Sequence, residues 1–118
     1  LEGLAARARA AGFDPGTVID RSRKTPEGGM VRWRSLFIER HPFGTWLPFG
    51  IDWMNTPHPS THAPGGLKLL SFSITHPDAE ALTTAYRALG FELPAVQKGP
   101  AGFRAKIETP KGIVELTG

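Results

Sequence analysis

The chain has 118 residues, 40% of them hydrophobic and 21% charged, the size and balance of one globular domain, and no apolar run approaches the roughly 20 residues of a membrane-spanning helix. Its net charge is only +3, and the densest basic stretch (Arg21, Arg23, Lys24, Arg32, Arg34, Arg40) is broken by Glu27 and Glu39, so a solvated strand face is expected first, an anion-binding pocket second, and neither nucleic acid nor membrane as a partner. The absence of cysteine excludes disulfides, thiolate metal sites and cysteine nucleophiles, and suits a cytoplasmic protein.

Leu1, Leu4, Ala5, Ala8 and Ala11 recur at helical spacing, and Gly12 followed by Phe13 supplies a left-handed stop. No capping residue precedes this helix. After the Asp14-Pro15-Gly16 turn, Thr17 to Lys24 reads as a strand. Thr25-Pro26-Glu27-Gly28-Gly29 is a turn. Met30 to Glu39 is the clearest strand of this half, with Val31, Trp33 and Phe37 on one face and Arg32 and Arg34 on the other. His41-Pro42-Phe43-Gly44 turns the chain into Leu47 to Trp53, a short apolar run read as a buried strand.

Met54 to Gly66 holds Pro57, Pro59, Pro64, Gly65 and Gly66 and reads as a linker. It separates a first module, residues 1–53, from a second, residues 67–118. Leu67 to Ile74 opens the second as a strand, with Leu70, Phe72 and Ile74 alternating with Ser71 and Ser73. His76 is the expected N-cap of a helix and Pro77 its first residue. Ala81, Leu82, Ala85, Tyr86 and Leu89 form its apolar stripe, and Gly90 ends it. Three strands follow: Pro94 to Lys98, one carried by Phe103, Ala105 and Ile107, and Ile113 to Thr117. Arg9-Ala10-Ala11-Gly12-Phe13-Asp14 matches Arg87-Ala88-Leu89-Gly90-Phe91-Glu92 in register. Part of that match is shared capping chemistry, and the repeated order of elements around it points to an internal duplication.

A strand-helix-three-strand unit used twice resembles the plan of the vicinal oxygen chelate superfamily, which includes glyoxalase I, bleomycin-resistance proteins and extradiol dioxygenases. The chain is most similar to its glyoxalase-like branch. The resemblance rests on the run from Leu4 to Gly12, Ser22-Arg23, Val31-Arg32-Trp33-Arg34, the run from Leu47 to Trp53, and His76-Pro77-Asp78 before the second helix. It implies an α+β fold of tandem βαβββ modules, each with one helix on a mostly antiparallel curved sheet. The first module lacks its opening strand. An upstream segment or a second copy is therefore expected at the exposed sheet edge.

The resemblance further implies a cup that takes a small-molecule ligand, and a divalent metal in the complete protein. Metal ligands in such relatives lie on the opening and last strands of a module. Counting back from Thr75-His76-Pro77-Asp78, with Leu70, Phe72 and Ile74 facing the helix, puts Leu69 at the opening-strand position, and leucine binds no metal. The last-strand positions fall on Asp52 and Glu115, the candidate metal ligands, with Glu115 also the candidate catalytic carboxylate. The plain alternative is that both pair with Arg32, Arg34, Arg104 or Lys106 across the sheet. This chain alone is expected to hold no tightly bound zinc, nickel or iron.

If Val31, Trp33 and Phe37 pack beneath the first helix, Arg32 and Arg34 point into the cup, where their forked guanidiniums suit a carboxylate or phosphate. The rival is an outer basic surface. Ser71, Ser73 and Arg104 are the ligand-binding candidates of the second module, beside Asp52 in the first. His41 reads as a turn residue, and His58 and His62 as residues of a proline-bound loop. Two functions stand: a glyoxalase-like protein that binds a small, anionic metabolite and acts as a lyase or isomerase when complete, and a non-catalytic binding or drug-sequestering module of the bleomycin-resistance type.

Overall fold

A computed structural model describes residues 1–92 and 94–118. Among them are two α-helices and seven strands, the α+β organisation expected. The chain divides into two compact units, Leu1–Ala63 and Pro64–Gly118, so residues 54–63 of the proline-rich stretch go with the first. No helix is long and apolar enough to cross a membrane among the described residues.

In the first unit, helix α1 (Glu2–Ala10) buries Leu4, Ala5 and Ala8. Strands β1 (Ile19–Lys24), β2 (Met30–Leu36) and β3 (Gly50–Asp52) form an antiparallel sheet in that order. The strands are shorter than the sequence pattern. Beyond Leu36 the pairing passes to an isolated bridge, in which Asp14 and Glu39 exchange backbone hydrogen bonds of 3.3 and 2.7 Å. Upstream of Gly50, Pro48 has no amide hydrogen to give a ladder, and Gly44–Trp46 forms a 3-10 turn instead.

Glycine decides which sheet face the helix takes. A Cβ built on Gly50 would lie 2.8 Å from a methyl carbon of Leu1 and of Leu4, so α1 rests directly on this glycine. Gly50 pairs with Leu36, which is 1% exposed. In β2, side chains alternate between faces. Leu36, Arg34 and Arg32 therefore share the helix side, and Val31, Trp33 and Ser35 share the other. This is the reverse of the packing that would point Arg32 and Arg34 into the cup. Val31 and Trp33 do not lie beneath α1.

In the second unit, β4 (Lys68–His76), α2 (Ala79–Leu89), β5 (Ala95–Lys98), β6 (Gly102–Thr109) and β7 (Gly112–Thr117) form a βαβββ unit with sheet order β5-β4-β6-β7. The β4-β5 pair is parallel and joined through α2, and the others are antiparallel. Here the opening strand lies between the second and third strands, whereas in the first unit β1 and β2 pair directly. The two units share an order of elements but not an order of strands. Helix α2 buries Leu82, Ala85, Tyr86 and Leu89, above Ile74 and Ala105 of the sheet. Each of its fully buried leucines contributes about 2 kcal/mol.

Both helices stop in the same way. Gly12 and Gly90 take φ values of 84° and 90°, a left-handed conformation that glycine adopts without a Cβ clash. Phe13 N–H donates to the Ala8 carbonyl at 2.9 Å and Phe91 N–H to the Tyr86 carbonyl at 2.8 Å, the six-to-one bond of a Schellman ending. Helix α2 starts later than expected: β4 runs on through His76, Asp78 holds the N-cap, and Ala79 is the first helical residue.

A local motif recurs three times. His41, His58 and His76 each precede proline, and each imidazole Nδ1 accepts the backbone N–H two residues on: Phe43 at 3.1 Å, Ser60 at 3.1 Å and Asp78 at 3.0 Å. Histidine here plays the part that asparagine or aspartate plays in an Asx turn.

Candidate functional site

On the helix side of the first unit, Arg34 is held at both ends. Its Nη2 donates to Asp52 Oδ2 at 2.6 Å, and its Nη1 lies 3.3 Å from Glu2 Oε1. Its Nε is buried without a hydrogen-bond partner. The second oxygen of Asp52 accepts from Met54 N–H at 2.8 Å. The hydrogen bond from Arg34, and then that from Met54, hold the Asp52 carboxyl below the usual aspartate value, and the same Asp52 contact raises Arg34. With Val31 and Trp33 beneath α1, Asp52 and Arg34 would face away from the helix. They instead tie the helix start, β2 and β3 together. Arg32, also on that side by alternation, is exposed and reaches the sheet edge, where it lines a cleft of about 290 Å³ with Arg21, Trp33 and Met54.

The opposite face of the same sheet is apolar and open. Trp33 and Trp53 bring their ring centroids to 5.7 Å, and Phe37 and Phe49 stack at 4.6 Å with planes 14° apart. These pairs continue the β2-β3 register on either side of Ser35–Ile51, so the face is a ladder of cross-strand side-chain pairs. Phe37 and Phe49 are 42% and 48% exposed. From β1, Arg21 stands opposite Trp33, Arg23 opposite Val31 and Ile19 opposite Ser35. Arg21 Nε donates to Ser35 Oγ at 3.1 Å, and Ser35 is the one buried polar residue among the described residues. The serine thereby holds the Arg21 side chain on this face.

Where Arg23 and Val31 end this face, a cleft of about 630 Å³ opens between the β1-β2 turn and the proline-rich stretch. Met30, Glu27, Thr56, Pro57, Pro59 and His62 complete most of its wall. Its volume falls in the range of small-molecule sites. The stretch that closes it is itself ordered by His58, whose ring meets Trp53 edge-on at 5.3 Å.

In the second unit, Ser71, Ser73, Arg104 and Glu115 lie on the sheet face away from Ile74 and Ala105, and hence from α2. Ser73 pairs with Arg104, Ser71 with Lys106, and Lys106 with Glu115. Arg104 Nε binds Glu115 Oε1 at 2.8 Å. A cleft of about 380 Å³ is lined there by Ser73, Thr75, Gln97, Arg104 and Thr117, with neighbouring backbone. Leu69 is placed differently from expectation. The β4-β6 register shifts between Leu69 and Ser71, so Leu69 pairs with Ile107 and joins the apolar side. Counting by twos from the helix junction fails across that bulge.

The donor set does not suit the divalent ion that the resemblance implies. Asp52 spends both oxygens on Arg34 and Met54, and Glu115 is paired with Arg104. Among the described residues, no three of histidine, aspartate or glutamate come together as a metal ion would require.

Sequence pattern alone did not find the aromatic face. Its signal was present in the spacing: Trp33 to Phe37 and Phe49 to Trp53 are both four residues, which in antiparallel strands brings like opposite like. The family model for a glyoxalase-like domain matches residues 1–90, which takes in the whole first unit with β4 and α2 and stops before Arg104 and Glu115. No curated protein and no solved structure matches significantly.

Proposed function

This chain belongs to the glyoxalase-like domain family of the vicinal oxygen chelate superfamily, and from that premise we propose that it binds a small organic molecule on the helix-free face of its first unit. One observation carries the reading. Trp33, Trp53, Phe37 and Phe49 form an open aromatic floor opposite α1, continuous through Arg23 and Val31 with a ligand-sized cleft. Exposed aromatic rings gathered on one face of a small sheet are costly in water, and a bound apolar body removes that cost.

Of the two expected roles, binding without turnover has the better support. A lyase or isomerase needs an acid or base free to move a proton. The carboxylates singled out for that work, Asp52 and Glu115, are engaged by arginines, and Asp52 lies on the other side of its sheet. The sequestering reading asks only for the floor and the cleft.

The test is a panel of small metabolites and drugs screened against the full chain by thermal shift, with hits measured again on Trp33→Ala. We expect at least one ligand that raises the melting temperature, loses most of that effect in the variant, and is recovered unchanged by mass spectrometry. Hits indifferent to Trp33→Ala, or no hit at all, would refute the site. Conversion of the recovered ligand would restore the enzymatic reading.

A further inference from the structure

We propose that this face takes a flat aromatic anion: a compact arene that carries a carboxylate or a phosphate. The inference rests on the binding reading above and adds the chemical class of the ligand.

The floor selects a flat ring system. Two aromatic pairs, Trp33–Trp53 and Phe37–Phe49, flank the Ser35–Ile51 pair. Two pairs set four residues apart along a strand are separated by about 13 Å. The residue midway on β2, Ser35, is buried and bonded to Arg21, so the Arg21 side chain occupies the interval between the two aromatic rows. An arene of one or two rings laid against one row meets ring faces or edges there, as aromatic pairs prefer, beside the guanidinium.

The cations select an anion. Among the described residues, Arg34, Arg40 and Arg104 each have a carboxylate within ion-pair distance. Arg21 and Arg23 share the aromatic face and, among the described residues, are in no ion pair. Arg21 spends its Nε on Ser35, which fixes the plane of the guanidinium and leaves its two terminal nitrogens as a fork for two oxygens. A neutral arene offers this pair only the weak attraction of its ring face, and an acyclic anion would ignore the floor. A flat aromatic anion uses both.

The same surface limits ligand length. A single nucleic-acid strand also stacks bases on aromatic rings and follows arginines, but it needs positive charge to continue along its path. Beyond Arg23 the cleft wall is Glu27, Thr25 and Pro26. A second phosphate would there meet a carboxylate. The occupant is therefore a small molecule, not a polymer.

The test is isothermal titration of the full chain with four probes: 2-naphthoate, 2-naphthyl phosphate, the neutral 2-naphthamide and the non-aromatic cyclohexanecarboxylate. Decathymidylate serves as the polymer. We expect one of the two naphthyl anions, the tighter naming the preferred charge group, to bind at least tenfold more tightly than the amide and than cyclohexanecarboxylate. Arg21→Gln should remove about tenfold from the anion and leave the amide unchanged, and Ser35→Ala should remove severalfold by freeing Arg21. Circular dichroism checks that both variants fold. Equal affinity for anion and amide, tighter binding of decathymidylate, or no binding of either naphthyl anion at millimolar concentration overturns the aromatic-anion assignment. If a panel hit still depends on Trp33 in that case, the ligand class fails while the binding face stands. If no ligand depends on Trp33, both fail.

Discussion

Arg34 and Asp52 face each other across β2 and β3 with 2.6 Å between Nη2 and Oδ2, beneath the first turn of α1. The contact is a structural clamp. It joins two strands, and through Glu2 it joins them to the helix.

The clamp has a pH signature. Asp52 is held below its ordinary value in the fold, so its contribution is fully present above the unfolded value of about 3.9 and is lost as pH falls through the lower folded value. Asp52→Asn should lower the urea midpoint at pH 7, and the gap to the parent protein should narrow through the acid range below pH 4. A gap that stays constant from pH 7 to pH 3 would show that the carboxylate is not what the clamp depends on.

The two faces of the first sheet should respond unequally to truncation. Leu36→Ala empties a fully buried position beneath α1 and is expected to cost about 2–5 kcal/mol. Ile51→Ala, on the open face and 39% exposed, should cost about 1 kcal/mol or less. Chemical denaturation of both variants decides it. The reverse ranking would mean that the helix lies on the Trp33 side after all.

Gly50 is the point of closest approach between α1 and β3. Gly50→Ala should destabilise by about 1–3 kcal/mol through overpacking against Leu4. Combining it with Leu4→Ala should give a double variant less destabilised than the sum of the two changes. Simple additivity would place the strain elsewhere.

The histidine turns rank by what else each ring does. Losing the Nδ1 acceptor should cost about 1 kcal/mol, so His58→Ala falls near that value. His41 in addition places Nε2 2.9 Å from the Ile38 carbonyl and stands beside Phe13 and Phe43, so His41→Ala should cost about twice as much. Asparagine can accept the same backbone N–H, and His58→Asn should recover most of the loss. No recovery would mean that the Trp53 contact, not the turn, is what His58 provides.

Much of this fold was legible because local chemistry fixes it. Gly12-Phe13 and Gly90-Phe91 announce helix ends whatever surrounds them, and the alternation in β2 separates Arg32 and Arg34 from Val31 and Trp33 without knowledge of the partner strands. Alternation cannot say which face receives the helix. That depends on a contact between Gly50 and Leu4, 46 positions apart, and glycine carries no hydropathy signal to advertise it. The site was hidden for the same reason. Trp33 and Trp53 become neighbours only once the register is known, and β4 hid its bulge because Leu69 and Leu70 are equally apolar. Alternation does place Phe72 and Ile74 on the helix-facing side of the second unit, where β4 pairs regularly with β6 beyond the bulge.

The His-Pro turns also make the four imidazoles unequal as chemical targets. His58 and His76 each spend one ring nitrogen on the main chain and His41 spends both, so acylation at any of the three must first break a turn. His62 makes no such bond among the described residues and lines the cleft. A histidine-selective acylating reagent at low dose should therefore mark His62 first, and peptide mapping would read the order. A molecule seated in that cleft should slow the labelling, which makes the least constrained ring of the four a reporter of occupancy.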